Sequence, residues 1–181
     1  MTSAKATALT PVSRPIGIRL ALVLAGALAI AAAAQAAIPI PGTPVPMTLQ
    51  PLAVLIVGGL LGPAYGAASA ALYVAMGALG LPVFTPGGLP GFARLTGPTG
   101  GYLLSYPFAA FVVGHLSGRS FPRCLLAAAA GLAVILLAGT AQLAIISGRD
   151  TALTLGFLPF VIKDLGSVLV TALIVHRYKS R

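Results

Sequence analysis

The sequence predicts an all-α integral membrane protein with six transmembrane helices, and three observations carry that prediction. First, 58% of the 181 residues are hydrophobic and only 7% are charged, whereas a soluble domain is about 25% charged. Such a chain cannot cover a water-facing surface with polar groups. Second, the apolar residues fall into six runs, separated by short stretches of Pro, Gly or basic residues. Third, the basic residues behind the net charge of +9 are scattered singly, mostly near the ends of those runs. That placement is a topology signal rather than a basic face for nucleic acid, and no nucleic-acid partner is expected.

Residues 1–15 are polar, with Lys5, Arg14 and Pro15, and read as a flexible cytoplasmic tail. Residues 16–181 read as one six-helix membrane domain with no room for a separate soluble unit. Span one is 16–38, and its core 20–34 holds no charge. A signal peptide is the rival reading, because AAAAQAA resembles a small-residue cleavage site, but the apolar run outlasts the usual signal core of about 7–15 residues. Ala21, Ala25, Ala29 and Ala33 recur every fourth residue along this span. They form a smooth stripe that lets another membrane helix approach closely, from this chain or from a partner.

Residues 39–50, PIPGTPVPMTLQ, hold four prolines and predict a stiff, extended loop. Span two follows at 51–62, with Pro51 suited to a first helical turn. Gly62-Pro63 is a tight turn, and span three runs over 64–81. The stretch 86–102, PGGLPGFARLTGPTGGY, has six glycines and three prolines in seventeen residues, too many for a regular helix or strand. Span four is 100–116, 117–123 is a basic loop, span five is 125–146, and 147–151 is a polar turn. Span six covers 155–175. Pro159 breaks a helix running straight from Ala152, so 151–158 reads as a lead-in and 160–175 as the main helix. Spans two and six fall short of the roughly 20 residues that cross a bilayer. Short or Pro-interrupted spans often leave backbone lining a cavity.

Six spans place both termini on one side. Lys5, Arg14, Arg19, Arg119, Arg123, Arg177, Lys179 and Arg181 share that side, against Arg94 and Arg149 on the other. The positive-inside rule makes the richer side cytoplasmic. The loops 39–50 and 86–102 then both lie outside, where two structured loops can cap a pocket between the helices.

Few residues can carry chemistry. Of the two acids, Asp150 reads as a solvated turn residue beside Arg149, whereas Asp164 falls inside span six. An ionisable group there is costly and is a functional candidate by default. The alternative is that Lys163 and Asp164 neutralise each other, although adjacent helical positions point about 100° apart, which makes a direct pair awkward. Arg94 is the only charge between Arg19 and Arg119. It is either an anion contact, or a side chain that snorkels to headgroups or caps carbonyls of its own loop. Thr48 and Gln50 are weaker candidates in the first outer loop. Gln35 and Gln142 read equally as helix–helix hydrogen bonds or ligand contacts. Tyr102 and Tyr106 read as interface anchors, with Tyr102 also able to line a pocket. Cys124 reads as a small apolar residue. His115 and His176 have no second ligand at metal spacing, so no metal site is expected. With no G-x-x-x-x-G-K, no H-E-x-x-H and no Ser–His arrangement, neither ATP hydrolysis nor hydrolase chemistry is expected, and the chain reads as a non-enzyme without a cofactor.

Five segments in chain order carry a family likeness: PVPMTLQ at 44–50, LLGPAYGAAS at 60–69, LYVAMGALGLPVF at 72–84, GPTGGYLLSYPFAAFVVG at 97–114 and LPFVIKDL at 158–165. Together they resemble BioY, the biotin-specific S component of energy-coupling factor (ECF) transporters. The resemblance implies a multi-pass protein of a prokaryotic cell membrane that captures biotin from outside. It also implies docking on a transmembrane coupling subunit driven by two ABC ATPases, with the alanine stripe as the docking groove. It implies that Arg94 meets the biotin carboxylate, that Asp164 meets the ureido N–H groups, and that Thr48, Gln50, Phe84, Tyr102 and Phe160 line the rest of the site. In the family an aspartate followed three residues later by a lysine marks helix six. Here that lysine position is Ser167 and a lysine instead precedes the aspartate, at Lys163, which leaves the ureido-oxygen donor open between them. Other readings are an S component for another vitamin, a solitary biotin permease, or a structural membrane subunit packing through the stripe.

Overall fold

The computed structural model describes residues 15–39 and 42–181; the expected tail over 1–14, with Lys5 and Arg14, lies outside the described residues. The elements in order are α1 (Ile16–Gln35), β1 (Ala37–Ile38), β2 (Met47–Thr48), α2 (Gln50–Leu61), α3 (Pro63–Ala78), α4 (Ala93–Thr96), α5 (Gly100–Leu116), α6 (Phe121–Ser147), α7 (Arg149–Thr151), a π-helical stretch (Ala152–Phe157) and α8 (Leu158–Lys179). The fold is all-α apart from the two-residue ladder of β1 and β2, which pairs Ala37 with Thr48 and Ile38 with Met47 and closes the first outer loop.

Among the described residues, three helical runs are long and apolar enough to cross a membrane: Ile16–Gln35, Phe121–Ser147 and Arg149–Lys179. α2 has 12 residues, about 18 Å of rise. It passes into α3 through Gly62, whose φ of 82° suits glycine. α5 is the central helix, packed on α6, α3 and α2, while α8 packs on α6 and α2. The contacts are built on small residues, as in other membrane bundles. A Cβ at Gly58 would meet the backbone of Ala110, so α2 and α5 touch main chain to main chain.

The two ends of the bundle differ. At one end, Lys179 Nζ donates to Ser117 O at 3.2 Å and His176 Nδ1 lies 2.9 Å from Arg119 O. This brings Arg119, Arg123, Arg177, Lys179 and Arg181 together. At the other end the two outer loops converge on α5, α6 and α8, and the candidate site lies there.

Several boundaries differ from expectation. Span one ends as helix at Gln35, and residues 37–38 turn into the ladder. α3 ends at Ala78, so the second outer loop begins at residue 79 and takes in Phe84 and Thr85. That loop contains one helical turn, α4, within FARLT, the longest run between 86 and 98 free of Gly and Pro. α6 starts at Phe121 rather than at 125, because Pro122 fits its first turn. Pro159 does not interrupt span six. The helix widens into the π-helical stretch just before it and continues as α8. The missing Pro159 N–H leaves the Leu155 carbonyl without its usual partner, and Thr43 Oγ1 donates to that carbonyl at 2.9 Å. The carbonyl that Pro159 leaves open thus anchors the first outer loop.

Candidate functional site

Beneath the two loops lies a pocket lined by both of them and by α2, α5, α6 and α8. The first loop and α2 contribute Thr48, Gln50 and Pro51; the second loop contributes Phe84, Thr85 and Arg94. α5 adds Tyr102 and Tyr106, α6 adds Ile135 and Leu136, and α8 adds Phe160, Lys163 and Asp164. Eight of the nine candidate residues therefore meet in one cavity. The ninth, Ser167, sits one helical turn behind Asp164 and reaches the site through it.

The α8 end is acidic and buried. Asp164 is 1% exposed, and its Oδ1 lies 2.7 Å from Lys163 Nζ. The expectation that neighbouring helical positions pair awkwardly is overturned, because the flexible four-carbon stem of Lys163 curls back to its neighbour. Lys163 Nζ also donates to Thr48 O at 2.7 Å, and Ser167 Oγ donates to Asp164 Oδ1 at 3.2 Å. Asp164 Oδ2, by contrast, is buried with no hydrogen-bond partner among the described residues. An unpaired carboxylate oxygen away from water is costly, and this one belongs to a residue that lines the pocket. Lys163 uses two of its three N–H donors on Asp164 and Thr48, which leaves one.

The opposite end is cationic. Arg94 is 6% exposed, and its Nη2 donates to Thr85 O at 3.0 Å. It does cap a carbonyl of its own loop, one of the two readings open from sequence, yet it also lines the pocket. Burial pulls its pKa below the ordinary guanidinium value, but a guanidinium stays charged in proteins. A Cβ added at Gly88 would overlap the Arg94 guanidinium, so this glycine makes the room for it. α4 is held from below: Gln142 Nε2 on α6 donates to Leu95 O and Gly97 O, both at 2.9 Å. Gly100 and Gly101 permit that approach, since a Cβ at either would meet Leu95 O or Ala138 O. The glycines of GPTGGY thus serve close packing, and Gln142 is a loop clamp. Gln35 Nε2 contacts Ala31 O at 3.3 Å and Phe84 O at 3.4 Å and does not line the pocket.

Aromatic rings wall the space between the ends. Tyr73 meets Phe84 edge-on at 5.6 Å and stacks with Tyr106 at 6.4 Å; Tyr102 and Phe160 lie 6.2 Å apart. The interface-anchor reading of Tyr102 and Tyr106 is corrected: both are buried. The Tyr102 hydroxyl donates to Gly156 O at 2.6 Å, in the π-helical stretch. Sequence reasoning missed Thr85 and Tyr73. A tyrosine in the middle of a span needs a partner for its hydroxyl, and Gln50 Nε2, 2.7 Å from Tyr73 Oη, is that partner. Thr85 gave no such signal. The remaining assignments hold their places: Asp150 is exposed, and Cys124 is buried, with its thiol on Gly118 O at 3.1 Å. On α1, Ala21, Ala25 and Ala29 are exposed and Ala33 half-buried, while Gly26, Ala27, Ile30, Ala31 and Ala34 face the bundle.

The comparisons with known proteins converge. The BioY family model matches residues 5–181. The probable biotin transporter BioY of Pyrococcus horikoshii is 42% identical over 134 residues, covering 74% of this chain and 80% of the relative. The biotin transporter BioY of Thermotoga maritima is 41% identical over 162 residues, covering 87% of this chain and 95% of the relative. A crystal structure of the S-component for biotin from an ECF-type ABC transporter superposes with a TM-score of 0.81 at 29% identity, covering 91% of this chain and 92% of that one. Fold, pocket and sequence agree along nearly the whole chain, which belongs to the BioY family.

Proposed function

We infer that this chain is a substrate-binding membrane subunit, not an enzyme, and that its ligand is biotin. One observation carries the assignment of the site: one pocket has at one end a buried carboxylate oxygen with no partner among the described residues, Asp164 Oδ2, and at the other a buried guanidinium, Arg94. Biotin has a matching pattern of N–H donors on its ureido head, an apolar bicycle and an anionic tail. In this reading Asp164 Oδ2 accepts a ureido N–H, the remaining N–H of Lys163 donates to the ureido oxygen, and Phe84, Tyr102 and Phe160 pack on the bicycle. Arg94 pairs with the carboxylate. Lys163 takes the place of the family lysine that Ser167 replaces, and Ser167 supports Asp164 without touching ligand. Thr48 and Gln50 hold the wall rather than the ligand.

In this reading uptake is driven through a separate ECF coupling subunit and two ABC ATPases; the solved structure it resembles is named as the S-component for biotin from an ECF-type ABC transporter. The exposed alanine face of α1 favours that over a solitary permease, because it offers a partner helix a smooth seat on the outside of the bundle. The five basic residues gathered at the far end favour a cytoplasmic placement for it, which turns the pocket outward in a prokaryotic cell membrane. Equilibrium binding of labelled biotin to the purified protein tests the ligand, with desthiobiotin and valeric acid as competitors. Biotin and desthiobiotin are expected to compete and valeric acid to fail; a protein that retains no biotin, or yields it to valeric acid alone, overturns this reading.

A further inference from the structure

A line of polar contacts joins the two ends of the pocket. Asp164 Oδ1 meets Lys163 Nζ, which donates to Thr48 O. Thr48 Oγ1 donates to Gln50 Oε1 at 3.1 Å, and Thr85 Oγ1 donates to the same oxygen at 3.0 Å. Arg94 Nη2 closes the line on Thr85 O. Gln50 is its middle link: 4% exposed, with both carbonyl lone pairs occupied and its amide nitrogen on Tyr73 Oη. Its oxygen has nothing left for a ligand. What it does is tie the first outer loop, which receives Lys163, to the second, which carries Arg94.

We propose that Gln50 is a positioning residue that sets the distance between the head-binding and anion-binding ends of the pocket, and so makes the site selective for the length of the chain joining a ligand's head and carboxylate. The proposal rests on the biotin reading above. A rigid tie between the loops penalises a ligand one methylene too long or too short, because its carboxylate then misses the Arg94 fork. A loosened tie lets the second loop follow the carboxylate, and selectivity falls even where affinity survives.

The test measures affinities of the purified protein for biotin and for its homologues with one methylene fewer and one more in the tail. The wild type is expected to prefer biotin by about tenfold or more, the scale of one misfitted methylene. Gln50→Leu, which keeps the shape but loses every side-chain hydrogen bond, is expected to bring the three within about threefold of one another. Gln50→Glu, which keeps the acceptors for both threonines, is expected to restore the preference. Should Gln50→Leu not be recovered folded, Thr85→Val is read in the same way, since it removes one tie but keeps the carbonyl that holds Arg94. A variant that weakens all three ligands equally shows a merely structural role and overturns the proposal, as does a wild type indifferent to chain length. A wild type that binds none of the three overturns the biotin reading itself, a different and recognisable failure.

Discussion

At Asp164 one carboxylate oxygen is fully engaged and the other is not, and that asymmetry fixes what substitutions should do. Asp164→Asn keeps the size but weakens the tie to Lys163 and turns one acceptor into a donor. Biotin affinity is expected to fall by about 100-fold, the scale of a lost charge-assisted hydrogen bond in a dry site, with the fold retained by circular dichroism; unchanged affinity would remove Asp164 from the site. Arg94 gives a second case. Gly88→Ala places a methyl where the guanidinium sits, and the flexible Arg94 side chain is the part that yields. This single carbon is expected to mimic Arg94→Ala, lowering affinity for biotin about tenfold or more while sparing uncharged biotin amide. Equal losses for both ligands would show that Arg94 does not meet the tail. The chemistry of these two ends was legible in the sequence because isolated charges in an apolar chain have few other reasons to exist. The contacts of Lys163 were not, because a four-carbon stem reaches partners that helical spacing alone does not place.

Among the elements, the outer loops owe their shape to residues outside them. Thr43 closes on a carbonyl left open by Pro159, and Gln142 holds α4 from α6. A proline inside an apolar run announces a disturbance, but not whether the helix stops or widens into π geometry, nor that the carbonyl it leaves open is met by a hydroxyl more than a hundred residues away. The short α4 was equally hidden, since glycine and proline counts over seventeen residues mask a five-residue run that lacks both. Gln142→Leu removes the side-chain donor shared by the Leu95 and Gly97 carbonyls and leaves Gly97 O with the Gly100 N–H alone. It is expected to raise the biotin dissociation rate about tenfold through loss of two hydrogen bonds, and to speed amide exchange in residues 91–99 without reaching α5. A dissociation rate equal to wild type would show that α4 is held by its backbone alone.

At the scale of the whole molecule, the bundle separates ligand from partner. The pocket draws on every long helix except α1 and α3, whereas α1 packs on α3 and α2 and turns its alanine face outward. The six-helix layout and the two unlike ends were legible from hydropathy and charge, because both are sums over many residues and tolerate shifted boundaries. Which face of α1 stays open was not, since an alanine-rich helix offers small residues on all sides and only the burial of Ile30 and Ala34 picks the inner one. This separation predicts two phenotypes that do not mix. Ala25→Leu together with Ala29→Leu adds bulk to the open face without touching the core. Equilibrium biotin binding by the purified variant is expected to stay within about twofold of wild type, because additivity holds for sites this far apart. Uptake of labelled biotin by cells that supply an ECF coupling module is expected to fall at least tenfold, because a groove that needs close helix approach loses it with two isobutyl groups in place. In cells without such a module, wild type and variant are expected to accumulate equally little. Accumulation by the wild type there, unaffected by the leucines, would mean that the chain moves its ligand alone and that the alanine face serves something else.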